Sequence, residues 1–186
     1  MKNNKIPLDS FNPRSTDKIL LDTNILIDLF YPLDFETTSN KYEILFNNII
    51  KSKCCLLVTS IQLSEFINKC IRIQYKLYQR TINDTSLEFK RGYRSTVDYR
   101  EKMNDILDII KTDIMTNFEF IDDGFSQMNS EHIFLYGFSY DFNDSLIVEI
   151  ARNQKAILVT NDADYANYIG IKQVSRPTQK AGKSAI

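Results

Sequence analysis

The sequence is poor in the residues that mark several common protein classes. It has one histidine, His132, and three cysteines, Cys54, Cys55 and Cys70, among 186 residues. No Cys-x-x-Cys pair or Cys/His spacing of the zinc-binding kind occurs, and an odd cysteine count in a chain of this length makes no disulfide framework. The thiols are read as reduced and buried, cysteine's ordinary place. His132 has no nucleophile near it in any motif, so it reads as a helix-surface or partly buried residue and not as a catalytic base. Five glycines and four prolines exclude a collagen-like or linker-dominated chain. No apolar run reaches the roughly 18 residues of a membrane span. The polar start Met1-Lys-Asn-Asn-Lys5 leads into no signal-peptide core, so a cytoplasmic protein without a membrane partner is expected.

Net charge is nearly absent as well. With 24 acidic and 23 basic side chains the formal charge is −1, which gives no global reason to expect a polyanionic partner. What is there is an ordinary soluble composition, 43% hydrophobic and 25% charged, long enough to bury a substantial core. The reading is one domain over 18–174, a lead-in over 1–17 and a basic tail over 175–186, with no repeat and no internal linker.

Apolar periodicity places the elements. Lys18-Ile-Leu-Leu-Asp22 reads as a strand ending in an acid, and Asn24-Ile-Leu-Ile-Asp-Leu-Phe30 as the helix it feeds. A helix over 39–51 leads to a buried strand, Cys55-Leu-Leu-Val-Thr59, after which Ser60 can cap a helix running to about Arg80. The polar stretch 81–96 separates it from a second helix carrying Tyr99, Met103, Ile106, Leu107, Ile110 and Ile114. Phe118-Glu-Phe-Ile121 reads as a strand, 126–136 as helical, Tyr136–Ser139 as a break and Asp141–Asn153 as a helix. Ala156-Ile-Leu-Val-Thr160 is the most strand-like run. This alternation predicts an α/β three-layer sandwich over a mainly parallel sheet of four to five strands, with a helical pair inserted around 61–116.

In such a sheet reactive groups gather beyond the carboxyl ends of the strands. Asp22 closes the first strand, Glu65 lies in the first turns of the helix after the second, and Asp162 follows the last strand. Asp144 opens the helix that feeds that strand and reaches the same end through a right-handed crossover. Four carboxylates at one mouth repel one another unless a cation sits among them, and Mg²⁺ or Mn²⁺ takes hard oxygen ligands of this kind. Metal-assisted phosphodiester hydrolysis is then feasible without a histidine base.

Four motifs carry a resemblance: Leu-Leu-Asp22-Thr23-Asn24; Thr59-Ser60-x-x-x-Ser64-Glu65-Phe66; Asn143-Asp144-Ser-Leu-Ile-Val-Glu-Ile-Ala151; and Leu158-Val-Thr160-Asn-Asp162-Ala-Asp164-Tyr165. In this order and spacing, over about Lys18 to Val174, the chain resembles the PIN domain, most of all the VapC-type ribonucleases of toxin–antitoxin pairs. The resemblance implies a Mg²⁺- or Mn²⁺-dependent ribonuclease acting on single-stranded RNA, with Asp22, Glu65, Asp144 and Asp162 as catalytic and metal-binding residues. Asn24 and Thr160 would give polar support. Asp141 and Asp164 compete for the roles of Asp144 and Asp162. A cognate antitoxin and a homodimer are implied too, although the stretch between Glu65 and Asp144 is longer than in the smallest members.

Plainer readings stand beside these. Asp22 and Asn24 can be a strand end with a helix cap, and Asp141 with Asp144 has capping-box spacing. Glu65 can be an exposed helix-start acid, and Asp162 with Asp164 an Asx-type turn. The whole can be a PIN-like module that binds RNA or protein without cutting. A phosphatase of the aspartate-nucleophile HAD type needs a second acid two positions after the first, where Asn24 stands.

Resolved along the chain, the charge is polarised. Lys69 to Lys102 holds nine bases and four acids; Asp105 to Asp164 holds twelve acids and three bases. Tyr75, Tyr78, Phe89, Tyr93 and Tyr99 interleave with the basic stretch, which suits single-stranded RNA through stacking and phosphate pairing, Arg72, Lys76, Arg80, Arg91 and Arg94 being the candidate contacts. The same rings can instead pack the two helices together. Lys172, Arg176, Lys180 and Lys183 make the C-terminal end basic.

Overall fold

The computed structural model describes residues 4–32, 40–135, 141–162, 165 and 172–175. Six parallel strands form one sheet: β1 (Asn4–Pro7), β2 (Lys18–Leu21), β3 (Cys55–Val58), β4 (Glu119–Phe120), β5 (Ile157–Val159) and β6 (Lys172–Ser175), in the order β1-β6-β5-β2-β3-β4. The sheet therefore has more than the four to five strands expected. Neither β1 nor β6 is among the runs read as strands: the lead-in supplies β1, where Asn4–Pro7 pairs with Lys172–Ser175 of β6, and Leu8 is buried. A lead-in of that polarity can supply an edge strand because main-chain pairing needs no apolar pattern. Lys172 thus belongs to β6, while Arg176, Lys180 and Lys183 lie outside the described residues.

The helices are α1 (Thr23–Phe30), α2 (Asn40–Ser52), α3 (Ser60–Thr81), α4 (Val97–Ile109), α5 (Met115–Asn117), α6 (Ser130–Leu135) and α7 (Phe142–Gln154), with a π turn at Ile110–Ile114 joining α4 to α5. The expected helix over 126–136 is thus split, a 3-10 turn at Phe125–Gln127 preceding α6, and the break at Tyr136–Ser139 lies outside the described residues.

The central strands are apolar on both faces, as a sheet covered on both sides requires. Ile19, Leu21, Leu56, Val58, Ile157 and Val159 pack toward one layer with Ile25 and Leu26 of α1, Tyr42 and Ile49 of α2, Phe66 and Cys70 of α3 and Ile106 of α4. Leu20, Leu57 and Leu158 turn the other way, onto Ile147, Val148, Ile150 and Ala151 of α7. This two-residue alternation produces the three layers.

The helical pair α3/α4 forms where expected. Thr59 and not Ser60 caps α3: its hydroxyl accepts from the Gln62 amide while the Gln62 side chain accepts from the Thr59 amide. The buried Gln62 side chain also donates to the carbonyl of Leu21, tying α3 to the end of β2. The interleaved aromatics pack against one another, with Tyr93 ring centroids 5.4 Å from Tyr75, 5.3 Å from Tyr78 and 5.5 Å from Tyr99. Tyr93 and Phe89 are buried. These rings close the helical pair rather than wait for bases, because two amphipathic helices need a shared apolar seam. Of the cysteines Cys70 is buried, as expected, whereas Cys54 and Cys55 are only half-buried; all three are free thiols. Burial pushes Cys70 up to about 12, so it stays protonated at neutral pH.

Candidate active site

Three strand ends and two helix starts meet at the carboxyl edge of the sheet. The Asp22 amide donates to Val159 O at 2.8 Å and the Thr160 amide to Val174 O at 3.0 Å, so β2, β5 and β6 stay paired up to the residues that follow them. Asp22 stands at the start of α1, yet its side chain caps nothing. Its Oδ2 instead accepts from the Thr160 hydroxyl at 2.8 Å, and that hydroxyl oxygen accepts the Asp162 amide at 3.0 Å. Asn24, the cap candidate, lies inside α1 with its Oδ1 accepting from Lys69, so the plain capping reading fails, and Thr160 links the first and last acids of the site.

Across the mouth, Asp141 is the cap of α7, its Oδ1 accepting the Asn143 amide at 2.9 Å. Asp144 does not reach back as a capping-box partner; its Oδ1 accepts from the Tyr165 hydroxyl at 2.7 Å. Tyr165 is buried, and Gln173 of β6 donates to its carbonyl. Glu65 sits on the second turn of α3, where Oε2 accepts from the Thr23 hydroxyl at 2.8 Å and Oε1 pairs with Lys69 Nζ at 2.7 Å. The Lys69 ammonium also donates to Asn24 Oδ1 at 3.0 Å. Asp164 lies outside the described residues.

Two of these acids are perturbed by their neighbours. Burial pushes Asp22 up to about 6, with the Thr160 hydrogen bond opposing and the charges of Asp144 and Glu65 adding to the rise. Asp144 is likewise pushed up to about 6, chiefly by burial, against the Tyr165 hydrogen bond and with Asp141, Asp162 and Glu65 raising it further. Two carboxyls held this far above their ordinary range by burial and like charge are the arrangement that a hard cation relieves. The donor chemistry fits Mg²⁺ or Mn²⁺. Among the described residues no three acidic, histidine or cysteine side chains converge as ligands of a single ion, Glu65 being held by Lys69.

An open groove of about 970 Å³ begins at this edge, lined by Asn24, Glu65, Asn143 and Asn161, each an acid of the site or close in sequence to one. It continues along α3 past Lys69, Arg72 and Lys76, the face opposite the buried Phe66, Cys70 and Ile71. At 1.5 Å per helical residue, Lys69 to Lys76 spans about 10 Å. Arg72 also stacks on Phe89, its Cζ 3.7 Å from the ring centroid, and Arg94 approaches the same ring at 5.3 Å. Of the other candidate contacts, Arg80 is exposed beyond this lining, and Arg91 is exposed with Glu88 at 3.9 Å.

The PIN domain family matches residues 19–170. The chain belongs to the PIN domain family. Two solved structures share the fold of this PIN domain: a DNA-bound VapBC from Salmonella typhimurium (17% identity, 86% of this chain and 98% of that chain, TM-score 0.51) and FitAcB from Neisseria gonorrhoeae (14% identity, 84% and 96%, TM-score 0.53). No curated protein matches in sequence. The parallel sheet with helices around it is the fold that the four motifs implied.

Four residues at the mouth of this PIN domain escape a reading by motif. Lys69 has a signal, its place four residues after Glu65 on one helix face. Thr23 and Tyr165 stand inside quoted motifs without an assigned part, and Asp28 lines the groove with Asn161 Nδ2 3.4 Å from its carboxylate. Among the described residues no helix is long and apolar enough to cross a membrane.

Proposed function

We propose that this PIN domain is a Mg²⁺- or Mn²⁺-dependent endoribonuclease acting on single-stranded RNA, and the toxin of a toxin–antitoxin pair. The observation that carries the reading is the raised pKa of two carboxyls at the carboxyl edge of the sheet, Asp22 with Asp144 and Glu65 acting on it, and Asp144 with Asp162 and Glu65 acting on it. Asp22 and Asp144 would be the principal metal ligands, with Glu65 ligating or orienting the attacking water and Asp162 completing the set. The chemistry supplied by the bound cation is polarisation of the phosphodiester and a lowered pKa for that water. Thr160 and Tyr165 do the protein's share for buried Asp22 and half-buried Asp144, each donating to one carboxylate oxygen.

The groove supports a phosphate-bearing strand as substrate. Arg72 and Lys76 on its wall are phosphate contacts, and Arg72 is pre-positioned by its stack on Phe89. A phosphate chain drawn along α3 passes Glu65 before it reaches these cations. The antitoxin partner is supported by fold likeness to the VapBC and FitAcB structures, and a homodimer is checked by light scattering of the purified chain.

The test is cleavage of defined single-stranded RNAs with Mg²⁺, Mn²⁺ or EDTA, by wild type and Asp22→Asn. Cutting that needs the cation and disappears in Asp22→Asn is the expected result. RNA binding without cutting in every metal would replace this reading by that of a binding module, and equal cutting by the variant would overturn the assignment of Asp22 as a metal ligand.

A further inference from the structure

Lys69 is the cation already present at the acidic mouth. Its ammonium lies 2.7 Å from Glu65 Oε1 and 3.0 Å from Asn24 Oδ1, so one side chain bridges the second turn of α3 to the start of α1. Glutamate followed four residues later by lysine is the favourable order for such a pair on a helix. The Lys69 side chain is 41% exposed and the Glu65 side chain 17%, so the pair stands at the boundary between the site and the groove. Lys69 also lines the groove beside Arg72 and Lys76. Held this way, Glu65 points its charge at an ammonium, and no three acids converge on one point among the described residues.

We infer that Lys69 is an internal counter-ion of the metal-free site: it holds Glu65 until a divalent cation enters, and then releases it to the acidic cluster and turns its ammonium to the groove. The inference rests on the reading of that cluster as a cation site and adds a positioning residue to it. A dication and an ammonium compete for the same carboxylate, since both draw their stabilisation from it and like charges at that spacing repel. Releasing Glu65 costs a charge-assisted hydrogen bond in a partly shielded place, and that cost is subtracted from metal affinity. The freed ammonium then joins Arg72 and Lys76 on the wall along which a phosphate chain would run.

The experiment is isothermal titration of Mn²⁺ into EDTA-stripped full-length protein, comparing wild type, Lys69→Met, Lys69→Arg, Glu65→Gln and the double variant Glu65→Gln/Lys69→Met. Lys69→Met should bind Mn²⁺ about tenfold more tightly than wild type. Lys69→Arg, which keeps the charge, should stay near wild type. In the Glu65→Gln background Lys69→Met should bring clearly less tightening, only what the ammonium's field on Asp22 leaves, because the competition runs chiefly through the Glu65 carboxylate. A thermal melt in EDTA gives the second readout: Lys69→Met should melt lower than wild type and gain more from Mn²⁺. Equal Mn²⁺ affinity in wild type and Lys69→Met would overturn the inference and leave the cation site standing. Equal tightening with and without Glu65 would also overturn it, reducing Lys69 to a general field. No Mn²⁺ binding by any variant would overturn the cation site itself.

Discussion

Replacing Asp22 with Asn removes a charge that the metal-free protein holds at a cost. Asp22 is 3% exposed, and burial, with Asp144 and Glu65 nearby, pushes its carboxyl from 3.8 up to about 6. The folded state thus holds this proton more tightly than the unfolded chain does. The stability it confers is fully present below the unfolded value of 3.8 and is lost as pH rises through about 6. A shift of about two units corresponds to about 3 kcal/mol at neutral pH. An asparagine carries no charge at any of these pH values and can still accept from the Thr160 hydroxyl, but its amide hydrogens need partners, which offsets about 1 kcal/mol. The variant should therefore be more stable than wild type by about 2 kcal/mol at pH 7.5 in EDTA, a melting point higher by about 4–8 °C for a chain of this size. Near pH 4 the advantage should vanish. Urea denaturation of EDTA-treated protein across pH 4 to 8 reads this directly, and added Mn²⁺ should reverse the order by stabilising only the wild type. A variant that is less stable than wild type by the same amount at every pH would refute the argument that Asp22 is held at an electrostatic cost.

Other perturbations address separate parts of the structure. Tyr165→Phe removes the hydroxyl that donates to Asp144 at 2.7 Å and lowers its pKa, so the acidic limb of the pH–cleavage profile should move to higher pH. Arg72→Ala should weaken binding of a single-stranded oligonucleotide and reduce the slope of log affinity against log salt by about 1, measured by fluorescence anisotropy. Glu149 is 4% exposed and is paired with Arg152, with His132 Nδ1 at 3.3 Å; Arg152→Met should leave that carboxylate poorly compensated and cost about 3 kcal/mol in urea denaturation.

Much of the frame could be read from one dimension because its signals are local. Ile19-Leu-Leu21, Leu56-Leu-Val58 and Ile157-Leu-Val159 are short apolar runs ending at a polar residue, and each became a central strand. The long stripe of α3 and the periodicity of α7 were equally plain. The edge strand β1 was not legible, since Asn4-Lys-Ile-Pro7 has no apolar pattern and owes its place to pairing with β6, far along the chain. Capping was misread by one residue at Thr59, where the decisive partner is Gln62 and not the helix start itself. The basic aromatic stretch was ambiguous in sequence because rings that stack on bases and rings that close a helix pair look alike; packing around Tyr93 decided it.

The sequence by itself determined the central strands β2, β3 and β5, the helices between them and the acids that stand next to them, because strand termini and helix starts are written in neighbouring residues. Tertiary structure alone decided which groups answer those acids. Thr160 reaches Asp22 because β5 lies beside β2, and Tyr165 reaches Asp144 across 21 positions of sequence. Lys69 meets both Glu65 and Asn24 only because α3 docks against α1. The near-cancelling charge of the chain becomes meaningful at that level: acids and bases far apart in sequence are brought to one edge, where burial and proximity, not number, set what they do.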